Sequence, residues 1–513
     1  MVDVVVRCLL LAAFASLGVG CARTPITGEP PSGRAEAYFP AEQWRTSTPE
    51  AQGLDSDVLS ELMGEVDARR VPIHSLQILR HGHLVLDAYF HPFQRDERHD
   101  VASVTKSVTT TLVGLALERG ALAGLDAPVY PLLDAAPPAD ERKSRIVLRH
   151  LLTTSSGLDC GAGAYEHEML AMAASPDWVR FALGLPMREA PGSRFAYCSP
   201  GFHLLSALVT RGTGLAAEDF ARQALFGPIG ITDWRWPRDP QGINQGAGDL
   251  QLRPTDLLRL GYLFLHGGEW SGRQVVPPHW VAEATRAQVD TRSSQRYGFG
   301  WWISTDIKGL YQASGRGGQR LIVWPAEDVV VVMTGGGFDP EVIAPFLLRS
   351  LKSRAPIAAN PAGQERLRAR VVQAARPGVA SAAVAPPLPP RAGSVSGVAF
   401  ALEPNPLGVR SMQLDFTDRS LAQVRFVLGD AEMRVPIGLD GAYRAGIDPA
   451  SGNRVAGRGR WAGADQFVLE IDTIARINHF TMAIELDDGG FNARVNERTG
   501  LVGDLALRGR AQH

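Results

Sequence analysis

DVASVTKSVTTTLVGLALERGAL, residues 100–122, is the stretch on which the reading of this chain turns. Val104, Val108, Leu112 and Leu115 recur at helical spacing, so a helix is expected over Val101–Leu122 with these side chains on one face. Lys106 sits inside it. The chain carries 52 basic residues, of which only Lys106, Lys143, Lys308 and Lys352 are lysines. A lysine in an apolar helix of so arginine-rich a chain needs a role that arginine cannot fill. Ser103 stands three residues earlier, which on a helix puts both side chains on one face, a turn apart. A partly desolvated amine can take a proton from a hydroxyl, whereas a guanidinium cannot give one up. The competing reading is a helix-capping serine beside a lysine whose stem lies along apolar surface. None of the other lysines has a serine three residues before it.

Two further segments carry chemistry. In RFAYCSPGFHLLSALV (194–209), Tyr197, Cys198 and Ser199 precede an amphipathic helix, and a phenol beside an amine and a serine can relay the serine's proton. Alone, Tyr197 reads as a half-buried structural tyrosine. In ASGRGGQRLIVWP (313–325), Gly315, Gly317 and Gly318 let a strand backbone approach a ligand closely, or simply form a hairpin. A backbone N–H there would supply half of an oxyanion hole, with the Ser103 N–H as the other half.

The 513 residues suffice for two domains, and a hydrophobic share of 45% with 21% charged residues is that of a globular protein. A net charge of −2 and the lack of a basic stripe give no case for nucleic acid. No HExxH, paired-cysteine or dinucleotide fingerprint occurs, so no metal and no organic cofactor is implied, and no GxSxG elbow supports an α/β-hydrolase. Residues 1–20 read as a signal peptide, and Cys21 after Gly18-Val19-Gly20 as a lipidation site, which makes the protein exported and either periplasmic or membrane-tethered. Of the four cysteines, Cys160 and Cys198 remain, as a disulfide or as two buried thiols.

Residues 21–44 read as a tether, 45–355 as a body mixing helix and strand, 356–393 as a helix followed by an Ala/Pro linker, and 394–513 as an all-β domain. HSLQILRHGHLVLDAYF is a hairpin turning at His81-Gly82. RYGFGWWIST, GLYQASGRGGQRLIVWP and DVVVVMTGG read as three successive strands, implying an antiparallel sheet whose first and last segments meet. The tail alternates at Met412/Leu414/Phe416, Met433/Val435/Ile437, Phe467/Leu469/Ile471, Phe480/Met482/Ile484 and Phe491/Ala493/Val495, giving six or more strands of a sandwich or barrel with no evident chemistry.

In this order and spacing the segments resemble the serine β-lactamase and penicillin-binding-protein superfamily, above all its class C branch with the related esterases and 6-aminohexanoate-dimer hydrolases. RHLLTTSSGL (149–158), PGSRFAYCSPGFHLLSALVTRGTG (191–214), LFGPIGI (225–231) and YGFGWW (297–302) extend the likeness over about residues 45–350. The resemblance implies an α/β (α+β) fold, an antiparallel sheet flanked by helices with a helical subdomain. It implies Ser103 as acylated nucleophile, Lys106 as its proton partner and Tyr197 as general base and acid. Ser314 and Gly315 would flank the site, with the Arg316 N–H as second oxyanion donor. It also puts Cys160 and Cys198 beside the cleft, as a disulfide that fixes the Tyr197 loop.

Two departures bear on substrate. Where β-lactamases carry Lys-Thr-Gly the strand reads Ala313-Ser314-Gly315, and Arg316 either replaces the lost cation or points away. Ser199 stands where class C enzymes have Asn. The expected function is therefore an exported serine hydrolase of small esters or linear amides. The alternatives are a β-lactamase or D-alanyl carboxypeptidase, or a non-catalytic ligand-binding lipoprotein. The tail's partner is unspecified. Trp234, Trp236, Trp301 and Trp302 are candidates for cleft or core, and Tyr165, Glu166 and Glu168 for a substrate lip.

Overall fold

The computed structural model describes residues 38–40, 43–135, 138–161, 167–377, 386–449, 452–500 and 502–512. The expected signal peptide, Cys21, Tyr165 and Glu166 lie outside the described residues. Phe39 and Trp44, in the stretch read as tether, already pack against Tyr262.

The body is built on an eight-stranded antiparallel sheet. Its strands are β1 (Ile73–Arg80), β2 (His83–Tyr89), β3 (Val289–Asp290), β4 (Gln295–Tyr297), β5 (Trp302–Ser304), β6 (Tyr311–Gly315), β7 (Gln319–Trp324) and β8 (Val329–Gly335). The spatial order is β2-β1-β8-β7-β6-β5-β4-β3, so the first and last segments of the body meet as β1 and β8. His81 and Gly82 both take positive φ, 48° and 69°, as a two-residue hairpin turn requires. The three strands expected between 296 and 337 are five, because glycines break two of the runs. Gly298 and Gly300 separate β4 from β5, and the turn Arg316–Gly318 separates β6 from β7.

β8 explains why VVVVM (329–333) is an unbroken apolar run: every residue of the strand is buried, and successive side chains serve opposite faces. Val329, Val331 and Met333 join the layer formed with α1 (Ser56–Ala68), while Val330 and Val332 join the larger core. Asp55 caps α1 by accepting from the N–H groups of Asp57 and Val58, which contributes about 1 kcal/mol.

The larger core surrounds α2 (Thr105–Glu118), and Val104, Val108, Leu112 and Leu115 are all buried within it. This helix is enclosed on every side, so its hydroxyls find partners in neighbouring loops. Ser107 donates to the Gly300 carbonyl at 2.6 Å, Thr110 to Phe299 at 2.9 Å and Thr109 to Gly246 at 2.8 Å. These bonds fasten two loops, near residues 246 and 300, to α2. The helices α3 (Ser199–Thr213) and α4 (Pro254–Leu265) complete this layer, and α5 (Pro361–Ala375) packs on α1.

The tail forms ten strands between Ala399 and Ala511, more than the sequence pattern resolves. Neighbours in the ladder are antiparallel, the first strand, Ala399–Leu402, lies beside the last, Leu505–Ala511, and a parallel pairing of Ala431–Gly438 with Arg454–Trp461 closes the barrel. The alternating residues Leu414, Val435, Ile437, Phe467, Leu469 and Ile484 fill its interior. The barrel is not a detached appendage, since residues 37–513 form one compact unit. Phe93 packs with Ala456 and Ile474 across the joint, Arg454 pairs with Glu97, and the Asp100 N–H donates to the Ala475 carbonyl at 3.0 Å.

Close packing of α2 generates a first prediction. A Cβ on Gly114 would lie 2.3 Å from the Trp280 indole. Gly114→Ala should cost roughly 1–3 kcal/mol in urea unfolding. Gly184→Ala, where a Cβ meets nothing within 4 Å, should be neutral or slightly stabilising.

Candidate active site

The chain enters α2 through a turn that no plain helix would make. Ala102 takes φ of 47°, unusual for a residue with a Cβ, and Asp100 Oδ1 holds its N–H at 2.7 Å. Ala102–Val104 form one turn of 3-10 helix ahead of α2. The helix expected from Val101 therefore begins later, and Ser103 sits on its approach rather than within it.

Lys106 is 1% exposed, and its Nζ donates to Ser103 Oγ at 2.8 Å and to the Ala247 carbonyl at 2.9 Å. The same nitrogen stands 4.7 Å from the centroid of the Tyr197 ring. A buried amine is costly unless it finds partners, and here a hydroxyl, a carbonyl and an aromatic face surround it. Serine, lysine and tyrosine thus meet at one point. Trp302 stacks beside Tyr197, with centroids 6.1 Å apart and planes at 19°.

Opposite them runs β6. A Cβ on Gly315 would fall 2.6 Å from the Val101 carbonyl oxygen and 3.0 Å from the Ala102 Cβ, so only glycine lets the strand lie against the turn that carries Ser103. Gly317 has φ of 82° in the turn that follows. Gln319 braces this turn, its amide donating to the carbonyls of Arg316 at 3.0 Å and Gly335 at 2.6 Å and accepting from the Gly335 N–H at 3.0 Å.

Between these elements lies a cleft of about 620 Å³, lined by Ser103, Tyr197, Trp302, Ser314, Gly315 and Arg316 among others. Ser199 is fully buried in the first turn of α3 and is not part of this wall. The tryptophans divide: Trp302 faces the cleft, Trp301 and Trp236 are core, and Trp234 packs on Phe226. Glu168 lies on the helix His167–Ala173, whose Met169 reaches the cleft.

Sequence reasoning missed three contributions. The Ala247 carbonyl that holds Lys106 comes from NQGAGD (244–249), a run whose alternating glycines were the available signal. Asp100 and Asp249 also line the cleft, and burial pushes both carboxyls up, Asp249 to about 6. Their mutual repulsion adds to the rise at Asp249, and Arg476 from the barrel opposes it. Arg476 stands 3.2 Å from Asp249 and 3.6 Å from Asp100. Finally, Ile477 and Gly500 bring the barrel itself to the cleft. No periodicity in the tail marks them.

Cys160 and Cys198 form a disulfide with Cα atoms 5.2 Å apart. Cys198 is also the N-cap of α3 and adjoins Tyr197, so the bond ties the tyrosine's segment to the loop after Leu158. Closing a loop of this separation, 38 residues, stabilises by about 2–4 kcal/mol. Thiol titration of the denatured, unreduced protein should find neither Cys160 nor Cys198 free, and Cys160→Ser should lower the melting temperature. Two reactive thiols at these positions would refute the pairing.

The sequence model of the family described as Beta-lactamase matches residues 57–350, more than half of the chain. The 6-aminohexanoate-dimer hydrolase of Paenarthrobacter ureafaciens is 24% identical over 321 residues, covering 58% of this chain and 81% of that protein. Monacolin J acid methylbutanoyltransferase of Aspergillus terreus is 32% identical over 164 residues, 28% of this chain and only 38% of the fungal enzyme. Among solved structures, a Bacillus anthracis protein assigned as a 6-aminohexanoate-dimer hydrolase superposes with a TM-score of 0.50 at 16% identity, over 65% of this chain and 86% of that one, a likeness of fold. The chain belongs to the beta-lactamase family and is an enzyme of its kind, serine hydrolases and acyltransferases that work through an acyl group on serine.

Proposed function

We propose that this protein is an exported serine hydrolase that cleaves small esters or linear amides through an acyl-enzyme on Ser103. The observation that carries the reading is the buried Lys106 amine, 2.8 Å from Ser103 Oγ and against the Tyr197 ring, with Ser103 and Tyr197 both lining the cleft. Ser103 Oγ attacks the substrate carbonyl, and its proton passes by way of Lys106 and Tyr197 to the leaving alcohol or amine as the C–O or C–N bond breaks. Water then attacks the acyl carbon, returns a proton to Ser103 Oγ and releases the acid. The N–H groups of Ser103 and Arg316, both residues of the cleft wall, hold the oxyanion in each step. Ser314 and Gly315 form the strand edge along which the substrate lies. No step needs a metal or an organic cofactor. The 6-aminohexanoate-dimer hydrolase likeness supports a linear amide as one substrate class. Export through residues 1–20, with a lipid tether at Cys21, belongs to the same reading, and the Cys160–Cys198 disulfide supports it because such bonds persist in oxidising compartments.

Intact mass after brief mixing with an activated ester, a linear amide and a penicillin tests the mechanism. The ester should leave one acyl adduct on the wild type and none on Ser103→Ala. If neither these donors nor a fluorophosphonate probe marks the folded wild type, a non-catalytic binding role takes its place.

Lys106→Arg separates proton transfer from charge. Arginine keeps the charge but cannot release a proton, so acylation should fall by about 10²-fold or more. Near-normal acylation of that variant would refute the role given to Lys106.

A further inference from the structure

Arg316 follows the substrate strand directly and lines the cleft, which makes it the obvious cation for gripping a carboxylate on a bound substrate. Its guanidinium is already engaged. Nη1 donates to Thr499 Oγ1 and stands 3.9 Å from Glu497 Oε2. Thr499 in turn donates to Glu497 Oε1 at 2.7 Å, and Asn478 Nδ2 donates to the same oxygen at 3.1 Å. The Glu497 side chain is fully buried, so its charge is fixed in place and little screened. Thr499, Glu497 and Asn478 all come from barrel hairpins, the strands Gln466–Thr473 with His479–Leu486 and Gly490–Glu497 with Leu505–Ala511.

The remaining charges along this wall leave no surplus of cation. Asp100 and Asp249 face Arg476 from the barrel and also feel Arg316, so three carboxylates stand against two guanidinium groups. Arg320, the other arginine of the cleft wall, donates to the Gln319 carbonyl at 2.9 Å and feels Glu341 and Asp339. A substrate carboxylate beside Arg316 would therefore arrive as a further anion among anions.

We propose that Glu497 is a specificity-determining residue of this cleft: it occupies Arg316 from within the chain, and so restricts the enzyme to substrates that carry no carboxylate near the scissile bond. Discrimination of this kind is built by placing an unfavourable charge against the wrong ligand rather than a new contact to the right one. The inference rests on the hydrolase reading above and names the substrate class that the reading leaves open.

The test uses the full chain and two esters, 3-acetoxybenzamide and 3-acetoxybenzoate, which differ only in a carboxamide against a carboxylate on the leaving group. Wild type should favour the benzamide in kcat/KM by about tenfold or more. Glu497→Gln keeps the shape and removes the charge, and should shift the ratio toward the benzoate by about tenfold, with the gain fading at high salt. Adding Arg316→Gln to that variant should abolish the gain. Thr499→Val removes the bridging hydroxyl without touching a buried charge, and should shift the ratio the same way by a smaller factor. If Glu497→Gln does not fold, an unmoved ratio in Thr499→Val overturns the proposal. A Glu497→Gln ratio within about twofold of wild type, with the benzamide still turned over, overturns this inference alone. Wild type that turns over neither ester overturns both the inference and the reading beneath it.

Discussion

The hydrogen bond from the Lys106 amine to Ser103 Oγ is the interaction around which the body is arranged. It can exist only if an amine-bearing side chain is buried, and burial demands further partners for that amine. The Ala247 carbonyl is one, which requires the loop around Gly246 to come down onto α2. Thr109 fastens that loop from the same helix, and a Cβ on Gly246 would lie 2.1 Å from the Phe202 carbonyl, so glycine there is a matter of space. The Tyr197 face is another partner, and it depends on the Cys198 cap and disulfide that hold the start of α3. Each piece of the site is thus positioned by a bond that also satisfies a buried polar group.

The body was legible in the sequence where local rules and burial agree. Val104, Val108, Leu112 and Leu115 mark α2 because a buried helix face repeats on its own period. His81-Gly82 marks the first hairpin because few residues accept positive φ. Ser103, Lys106 and Tyr197 were recognisable as types in order, and the fold brings them together although 91 positions separate Lys106 from Tyr197. The strand count was misjudged where β6 and β7 continue one apolar pattern across Arg316–Gly318, a break that depends on the close approach of Gly315 to Val101.

What stayed hidden is the joint between body and barrel. Arg476, Ile477, Glu497 and Gly500 look in sequence like ordinary turn residues between alternating strands. Their meaning comes from contacts with Asp100, Asp249, Gly317 and Arg316, residues more than 150 positions away, and a single sequence holds no signal for pairings at that range. The same holds for Asp249, whose raised carboxyl reflects burial and the neighbouring Asp100 rather than anything in its own segment.

The bond from the Asp100 N–H to the Ala475 carbonyl also orders events in time. A growing polypeptide emerges amino end first, so the segment carrying Ser103 appears long before the hairpin that holds its approach. Through that interval Asp100 lacks its backbone partner, and both Asp100 and Asp249 lack Arg476. The cleft is therefore finished only after the hairpin that carries Ala475 and Arg476 has formed. A product cut short within the barrel would leave the turn before Ser103 without the Ala475 carbonyl and the Arg476 guanidinium.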